Sequence, residues 1–348
     1  NANVAGYSRQ TVVQSAGLAQ DFGYGFVGSG TQIADIKRYS DSFLNTQVRS
    51  AQAAASAFQG FEGEISQIDN MLADATSGLS PTLQDFFAGV QNMAASGASV
   101  PSRQALLSAA DSLASRFQSL NGRMEEIREG VNAKINSNIT LINSYADQIA
   151  DLNQRIVGAS GSGSGSVINM PNDLLDQRDQ LVLELNKHIK ATVTKTETNS
   201  YTVSIGSGQP LVVGAKAFDL AATQSPTDLA RVEVGYATAS SINILSSAAL
   251  SGGELGGLLD FRTNSLDRAQ NSLGRIAIGF ASTFNAQHAL GRDSDNVAGA
   301  AFFQQADAQV TKDITGAVPS SSALTASIVD ARALTTSDYK VSFDGGAY

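Results

Sequence analysis

Three glycines are the first residues in this chain of 348 whose spacing could form a ligand-binding site. Gly23, Gly25 and Gly28 have the G-x-G-x-x-G spacing of a dinucleotide-binding loop. That chemistry needs a helix N-terminus directly after the glycines, so that its free N–H groups meet the pyrophosphate. The residues that follow, SGTQIADIKRY, begin with glycine and alternate as a strand does. We therefore interpret the motif as part of a turn-rich arm and predict no cofactor there.

Metal chemistry could involve His188, His288 or the segment GRDSDN at Gly291–Asn296. Two histidines are too few for a multi-histidine metal site. Each histidine closes a predicted helix, where the helix dipole favours a cation. GRDSDN contains Asp293 and Asp295, but the glycine and the final glutamate of a calcium loop are not at the required offsets. We therefore interpret the histidines as helix-end or surface residues, and Asp293, Asp295 and Asn296 as turn formers.

The segment NDLLDQRDQL places four charged residues within two helical turns: Asp173, Asp176, Arg178 and Asp179. Acid–base catalysis by these carboxylates would require a pocket and raised pKa values. Charges spaced in this way are typical of a solvated helix face with local ion pairs, which is our interpretation.

Composition excludes several further classes of function. The chain has no cysteine, which excludes disulfides, thiol catalysis and cysteine metal sites. Its net charge is −9 and it has no dense lysine or arginine cluster, so neither nucleic acid nor an anionic membrane surface is an expected partner. The sequence contains no run of 18 apolar residues, so it predicts no membrane span. We predict no catalytic residue, no cofactor-binding residue and no metal ligand, and hence no enzyme.

Long helices must position these residues. Apolar residues from Leu44 to Leu72 advance in steps of four and three, which predicts one helix stripe. A second stripe predicts a helix from about Ser102 to Val157, roughly 80 Å long. Pro81 predicts the first turn of a short helix between these two. Phe117, Leu120 and Ile127 of the second stripe should be buried against the Leu44–Leu72 and Leu255–Phe284 stripes.

The rest of the chain alternates flexible, helical and strand-like segments. Gly158–Ser166 is a Gly/Ser linker, and helix resumes over Asn172–Ile189. Residues 191–248 contain short strands separated by glycine, asparagine and proline. After the Leu255–Phe284 stripe, the segments LTASIV and DYKVSFDGG are strand-like.

The predicted fold is mainly α with β subdomains. It is an elongated antiparallel bundle of long helices that carries a β insertion and part of a second β domain. Residues 1–40 form an extended arm, and residues 41–190 plus 250–290 form the long-helix bundle. Residues 191–249 form the β-rich insertion. Residues 300–348 form the incomplete start of an outer β domain.

Several segments resemble known flagellar proteins. NANVAGYSRQ is similar to the segment of flagellar axial proteins that joins the terminal coiled coil to the first outer domain. Six further segments resemble the hook-associated protein 1 family. They are GYGFVGSGTQIADIKRYSDSFLNTQVRSA, GLSPTLQDFFAGVQNMA, SRQALLSAADSLASRF, NDLLDQRDQL, GGELGGLLDFRTNSLDRAQNSLGRIA and FNAQHALGRDSDNVAGAAFF. The similar segments span about Asn1 to Phe303. The Gly/Ser linker and much of residues 191–248 are not distinctive.

The resemblance implies a structural subunit at the hook–filament junction, outside the cell in the bacterial flagellum. It implies export through the flagellar type III channel without a cleaved signal peptide. The implied partners are copies of itself in the flagellar axis, hook protein, hook-associated protein 3 and a flagellar export chaperone that binds a missing terminus. The chain is expected to be a fragment without the two terminal coiled-coil segments. No cofactor is implied.

Two alternatives remain. Another secreted axial component, either flagellin or a hook-associated protein 3 type, shares long helices and export. LLDQRD and FRTNSLDRAQ favour hook-associated protein 1 over both. A helical adhesin or secreted translocator is the other alternative, and it should show membrane-active apolar stretches.

Overall fold

The chain folds into six α-helices and eleven strands within its described residues. A computed structural model describes residues 6–341 except 22, 24, 74–77, 98, 162–170, 239–240, 294, 306–307, 309, 311–324 and 340. The helices are α1 Ser42–Ala73, α2 Leu79–Ala95, α3 Val100–Gly161, α4 Asn172–His188, α5 Gly253–Phe261 and α6 Asp267–Ala289. The strands are β1 Gln10–Ala16, β2 Gln20–Asp21, β3 Phe26–Val27, β4 Thr31–Arg38, β5 Ala191–Lys195, β6 Tyr201–Ile205, β7 Gln209–Val213, β8 Lys216–Ala217, β9 Leu220–Gln224, β10 Val232–Ala237 and β11 Ile242–Ile244.

The prediction of a mainly α chain with β subdomains is confirmed, and the sheets are antiparallel. Helix α3 starts two residues before its predicted beginning and continues through Gly158–Gly161, so this part of the expected linker is helical. Residues 162–166 of that linker lie outside the described residues. Thr325–Val329, the described part of LTASIV, forms no strand, and residues 342–346 of the second strand-like segment are not described.

The chain divides into two compact units. Unit 1 comprises Asn1–Phe61, Lys134–Thr223 and Val232–Leu259. Unit 2 comprises Glu62–Ala133, Gln224–Arg231 and Asp260–Tyr348.

The arm of unit 1 is a β-hairpin. Strands β1 and β4 pair antiparallel, with Val12 opposite Ile36 and a register shift after Val13. The G-x-G-x-x-G glycines lie between and beside β2 and β3, and Gly23 has a φ of +80° that favours glycine. The next element is strand β4 and not a helix, so the structural context of a pyrophosphate site is missing. The interpretation of these glycines as turn residues agrees with this geometry.

The β-rich part of unit 1 consists of two antiparallel sheets. One has the strand order β5-β6-β7-β8 and the other the order β11-β10-β9. Val203, Leu211 and Val212 are completely buried in the first sheet, and Val234 is buried in the second. The predicted strands of residues 191–248 are therefore present.

In unit 1, the buried face of α1 differs from the predicted one. Leu44, Val48 and Phe58 are 54%, 47% and 75% exposed, whereas Ala53 and Ser56 are buried. The reason is the close approach of α5, which requires small side chains. A Cβ atom on Gly257 would collide with the backbone of α1, and one on Gly60 would lie 3.2 Å from the carbonyl oxygen of Glu254. The prediction that the first half of the Leu44–Leu72 stripe faces the core was therefore wrong.

An aromatic cluster forms the core of unit 2. Phe86 is fully buried, and its ring lies 5.4 Å from Phe280 and 5.2 Å from Phe284 in edge-to-face geometry. Such pairs contribute about 0.5–1.5 kcal/mol beyond their buried area. The surrounding apolar residues include Leu106, Leu113 and Phe117 of α3 and Phe302 and Phe303 after α6.

Asn285 fixes residues 302–303 against α6. Its Oδ1 atom accepts hydrogen bonds from the backbone N–H groups of Phe302 and Phe303, both at 2.8 Å. Its Nδ2 atom donates to the carbonyl oxygen of Phe303 at 2.8 Å. These three hydrogen bonds to the backbone place both phenyl rings in the cluster.

The helix predicted to follow SGGELGGLL is interrupted by a π-helical turn. Residues Arg262–Leu266 form this turn, in which the N–H of Asp267 donates to the carbonyl oxygen of Arg262. A π-turn places residues five apart on one side. Arg262 and Asp267, both buried, therefore share a face, which an unbroken α-helix would prevent.

We expect Leu120→Asp to destabilise the chain by about 4 kcal/mol, because it would bury an unpaired carboxylate. Leu120 is 1% exposed, as predicted, and Phe117 packs against the buried cluster around Phe86, whereas Ile127 is only half-buried. The control is Leu107→Asp on the same helix, since Leu107 is 47% exposed. Its effect should stay within about 0.5 kcal/mol. Urea denaturation measures both, and equal shifts would contradict the assignment of this face to the core.

Candidate functional site

Two of the four charged residues of NDLLDQRDQL are buried, so the interpretation of this segment as a solvated face was wrong. Asp176 and Arg178 are 8% and 1% exposed, and only Asp173 retains an exposed side chain. Their partners are distant in sequence, whereas the prediction expected local pairs. Helix α4 meets the arm on one side and α3 with the β5–β8 sheet on the other, which covers both charged faces.

On the arm side, Arg38 at the end of β4 bridges two carboxylates. Its Nε atom lies 2.7 Å from Asp176 Oδ1, and its Nη2 atom lies 2.6 Å from Asp179 Oδ2. The backbone N–H of Ser8 donates to Asp176 Oδ2 at 3.1 Å. Burial alone disfavours the charged guanidinium, but the hydrogen bonds and charges of Asp179 and Asp176 outweigh burial and raise the pKa of Arg38. Arg38 is therefore held as a permanent cation between two anions.

Tyr201, the first residue of β6, connects this ion pair to the sheet. Its hydroxyl donates to Asp179 Oδ1 at 2.7 Å. The Arg178 guanidinium carbon lies 3.5 Å from the centroid of its ring, which is a close cation–π contact. Burial and the negative charge of Asp179 raise the pKa of Tyr201. The hydroxyl therefore keeps its proton and acts as a donor.

On the sheet side, Arg178 binds oxygen atoms of two elements. Its Nη1 atom donates to Asn153 Oδ1 at 2.8 Å and to the carbonyl oxygen of Asn199 at 2.7 Å. Burial lowers the pKa of Arg178, while Tyr201 and Asp179 oppose that shift. The guanidinium thus joins α4 to α3 and to the turn before β6.

Asn153 of α3 uses both ends of its amide on the sheet. Its Nδ2 atom donates to the carbonyl oxygens of Tyr201 and Gly214 at 2.9 and 2.8 Å, and its Oδ1 atom accepts from the N–H of Tyr201 at 2.9 Å. The residue is completely buried. Every one of these bonds fixes the position of the backbone, so the network positions structural elements. The two carboxylates of this network, Asp176 and Asp179, already bind Arg38.

The last turn of α4 has a second polar contact at His188. Its Nδ1 atom donates to Asn138 Oδ1 at 2.8 Å and lies 3.6 Å from Glu254 Oε2. The ring stacks on Tyr145 with 5.7 Å between centroids. The neighbouring His188 side chain lowers the pKa of Glu254 although burial opposes that shift. His188 ends α4, in the position that the sequence predicted for it, and connects this end to the start of α5.

Unit 2 contains a separate ion-pair cluster around Asp267. Its carboxylate lies 2.9 Å from Arg128 Nη1 and 3.3 Å from Arg231 Nη1. Arg128 also donates to Gln270 Oε1 at 2.6 Å, and Gln270 donates to Asn121 Oδ1 at 3.0 Å. Helix α3, helix α6 and the loop before β10 are therefore joined by this cluster.

The remaining predicted positions form local turns. His288 Nδ1 donates to the carbonyl oxygen of Ala300 at 2.7 Å. Asp293 Oδ1 accepts from the N–H groups of Asp295 and Val297 at 2.9 and 2.8 Å, and Asn296 has a φ of +61°. Among the described residues, no group of three or more histidine or acidic side chains is arranged to hold a metal ion. No helix within the described ranges is both long and apolar enough to span a bilayer.

Sequence reasoning missed Arg38, Asn153 and Tyr201, because nothing in their neighbourhood marks them. Arg38 lies 138 residues before Asp176, and Asn153 lies 48 residues before Tyr201. A signal existed only for the π-helical turn of unit 2. Arg262 occupies a position of the apolar Leu255–Phe284 stripe, and a charge in such a stripe indicates either a break in the helix or a buried pair.

Comparison with known proteins identifies the family. A family model for the flagellar hook-associated protein FlgK helical domain matches residues 65–303. The chain belongs to this family. The resemblance found in the sequence is thereby confirmed, and the matched region includes α4, Asn153 and Tyr201.

Individual relatives agree with the family match. The chain is 39% identical over 346 residues to flagellar hook-associated protein 1 of Salmonella typhimurium, and 37% identical over 350 residues to that of Escherichia coli K12. Each alignment covers 99% of this chain and 62% of the relative, so the chain spans about three fifths of their length. The solved flagellar hook junction protein FlgK from Burkholderia pseudomallei superposes with a TM-score of 0.70 at 35% identity, over 75% of this chain and 47% of that one.

We expect Asn153→Ala to lower the free energy of unfolding by at least about 3 kcal/mol. The substitution leaves Arg178 and the backbone groups of Tyr201 and Gly214 without their buried partner, and each such loss costs about 1–3 kcal/mol. Gln154→Ala on the exposed neighbouring position is the control and should be nearly neutral. Guanidinium denaturation followed by circular dichroism measures both, and a neutral Asn153→Ala would show that the network is not needed for the fold.

We expect the stability difference between the wild-type chain and Glu254→Gln to depend on pH. The folded-state pKa of Glu254 lies below its ordinary value of 4.5, so its contribution is present above pH 4.5. That contribution is lost as the pH falls through the lower folded-state pKa, because the unfolded chain then binds more protons. Thermal melts from pH 7 to pH 3 test this. A difference that stays constant through that range would contradict the contact with His188.

Proposed function

We propose that the chain is the larger part of a structural adaptor subunit that joins hook to filament in the bacterial flagellum and performs no catalysis. The observation that carries the proposal is the family match over residues 65–303. The solved relative from Burkholderia pseudomallei is named a flagellar hook junction protein. The reported relatives carry the name hook-associated protein 1, which argues for this role over flagellin, a hook-associated protein 3 type component or a helical adhesin.

The polar contacts of the described residues support a structural role. Asp176 and Asp179 bind Arg38, and Asp267 binds Arg128 and Arg231. Acid–base catalysis requires a carboxylate with a tuned pKa that reaches a substrate. Carboxylates that are already bound to guanidinium groups serve instead to fix the positions of helices and strands.

The proposed partners follow from the family. They are copies of the same subunit in the flagellar axis, hook protein on one side, hook-associated protein 3 on the other, and an export chaperone before assembly. The proposed location is extracellular, at the hook–filament junction, after type III export without a cleaved signal peptide. We propose residues 1–40 as an arm, 41–190 plus 250–290 as the helical bundle, 191–249 as an insertion and 300–348 as the start of an outer β domain.

Deletion of the full-length gene in the source bacterium tests the proposal. We expect cells with intact hooks, no filaments, and flagellin released into the medium, because filament subunits would have no junction on which to assemble. Electron microscopy and immunoblots of the medium provide the measurements. Wild-type and Gln154→Ala genes should restore filaments, and Asn153→Ala should restore fewer. Filaments that persist after deletion, or loss of the hooks as well, would overturn the proposed position in the flagellum.

A further inference from the structure

The arm, taken as the described residues from 6 to 40, is attached to the rest of unit 1 through one helix. Within that described part, its hydrogen bonds and ion pairs to the remainder of unit 1 all end on α4. They are Ser8 N to Asp176 Oδ2 at 3.1 Å, Arg38 Nε to Asp176 Oδ1 at 2.7 Å, Arg38 Nη2 to Asp179 Oδ2 at 2.6 Å and Asn172 Nδ2 to the carbonyl oxygen of Ile36 at 3.0 Å. These polar contacts lie at the base of the hairpin, where Tyr7 also lines a cavity with residues of α3 and α4.

The hairpin itself is held together by its own ladder. Strands β1 and β4 form seven residue pairs. Their apolar side chains bury little surface, since Val12, Ile33 and Ile36 are 48%, 65% and 45% exposed. The pairing within the hairpin is thus independent of α4, while apolar burial adds little to its docking.

The arm and helix α1 are separate elements joined by a short connection. Tyr39 and Ser40 have no regular secondary structure, and α1 begins after them. Asp41 caps α1 by accepting hydrogen bonds from the N–H groups of Phe43 and Leu44 at 2.9 and 3.1 Å. The helix start therefore keeps its cap whichever position the arm takes. Tyr39 stays with the hairpin, because its N–H donates to the carbonyl oxygen of Arg9 at 2.9 Å, so Ser40 is the residue that can act as a hinge.

Asp176 is the point at which both ends of the hairpin meet α4. One of its oxygens binds Ser8, before β1, and the other binds Arg38, the last residue of β4. Arg38 supplies the charge that compensates both carboxylates, and its side chain is 11% exposed. Removing that charge would leave two nearly buried carboxylates side by side, which repel each other and favour water.

We propose that the β1–β4 hairpin is a strap that docks on α4 and leaves it as an intact hairpin, with Arg38 as the latch. The latch holds because two charge-assisted hydrogen bonds form at short distance. Release costs no strand pairing and little apolar burial, so the docked and undocked forms differ mainly in these polar contacts. The arm can then change its direction relative to α4 while the hairpin and unit 1 both remain folded.

Spin labels measure this directly, because the chain contains no cysteine. One label is placed at Ile33→Cys on the hairpin and the other at Gln177→Cys on the exposed side of α4. Electron–electron double resonance is recorded with the native Arg38, with Arg38→Gln and with Arg9→Gln. Arg9 is the matched control, since it lies over the ring of Tyr39 within the arm. We expect a narrow distance distribution for the native chain and for Arg9→Gln, and a longer, broader one for Arg38→Gln.

Hydrogen exchange on the unlabelled variants separates undocking from unfolding. In Arg38→Gln, the Ser8 N–H should exchange at least about tenfold faster, because its acceptor carboxylate is released. The β1–β4 ladder and the amides of α4 and β6 should keep their protection. If the ladder or α4 also loses protection, Arg38 supports the fold of unit 1 and the strap is refuted. Unchanged distances and unchanged Ser8 exchange would refute the latch.

Discussion

Burial of the Arg178 guanidinium is the constraint from which the arrangement of unit 1 follows. A charge removed from water costs several kcal/mol unless its surroundings replace the lost hydrogen bonds. Here the replacement comes from Asn153 on α3, the Asn199 carbonyl before β6 and the face of the Tyr201 ring. These three partners belong to different elements. The cation can be satisfied only when α3, α4 and the β5–β8 sheet take up one relative position.

The charges around Arg178 form an alternating series that extends this constraint to the arm. Asp179 accepts the Tyr201 hydroxyl on one side and the Arg38 guanidinium on the other. Each charge in the series lies beside an opposite charge or a donor, so desolvation is compensated step by step. Directional hydrogen bonds also specify orientation, which apolar contacts do only weakly. A subunit whose proposed role is to join two parts of a flagellum would benefit from α3, α4 and the β5–β8 sheet being held in fixed orientation.

Unit 2 reaches its stability by a different route. Its core is the phenyl cluster around Phe86, in which shape complementarity and edge-to-face contacts replace the polar network. The cluster around Asp267 then joins α3, α6 and the loop before β10. The π-turn at Arg262–Leu266 makes this possible by moving Asp267 onto the buried side. Thus the polar network dominates the arrangement of unit 1, whereas apolar packing dominates that of unit 2.

The sequence by itself determined the helices, the strands of residues 191–248 and the family. These features depend on periodicity, on turn residues and on short characteristic segments, and such signals lie within a few residues of one another. Only the tertiary structure decided which face of α1 is buried in unit 1, because that choice depends on Gly257 of α5 and favours Ala53 over Phe58. It also decided that Asp176 and Arg178 are buried and not solvated. Their partners lie up to 168 residues away, and a local pattern of charges is the same whether water or a distant segment completes it.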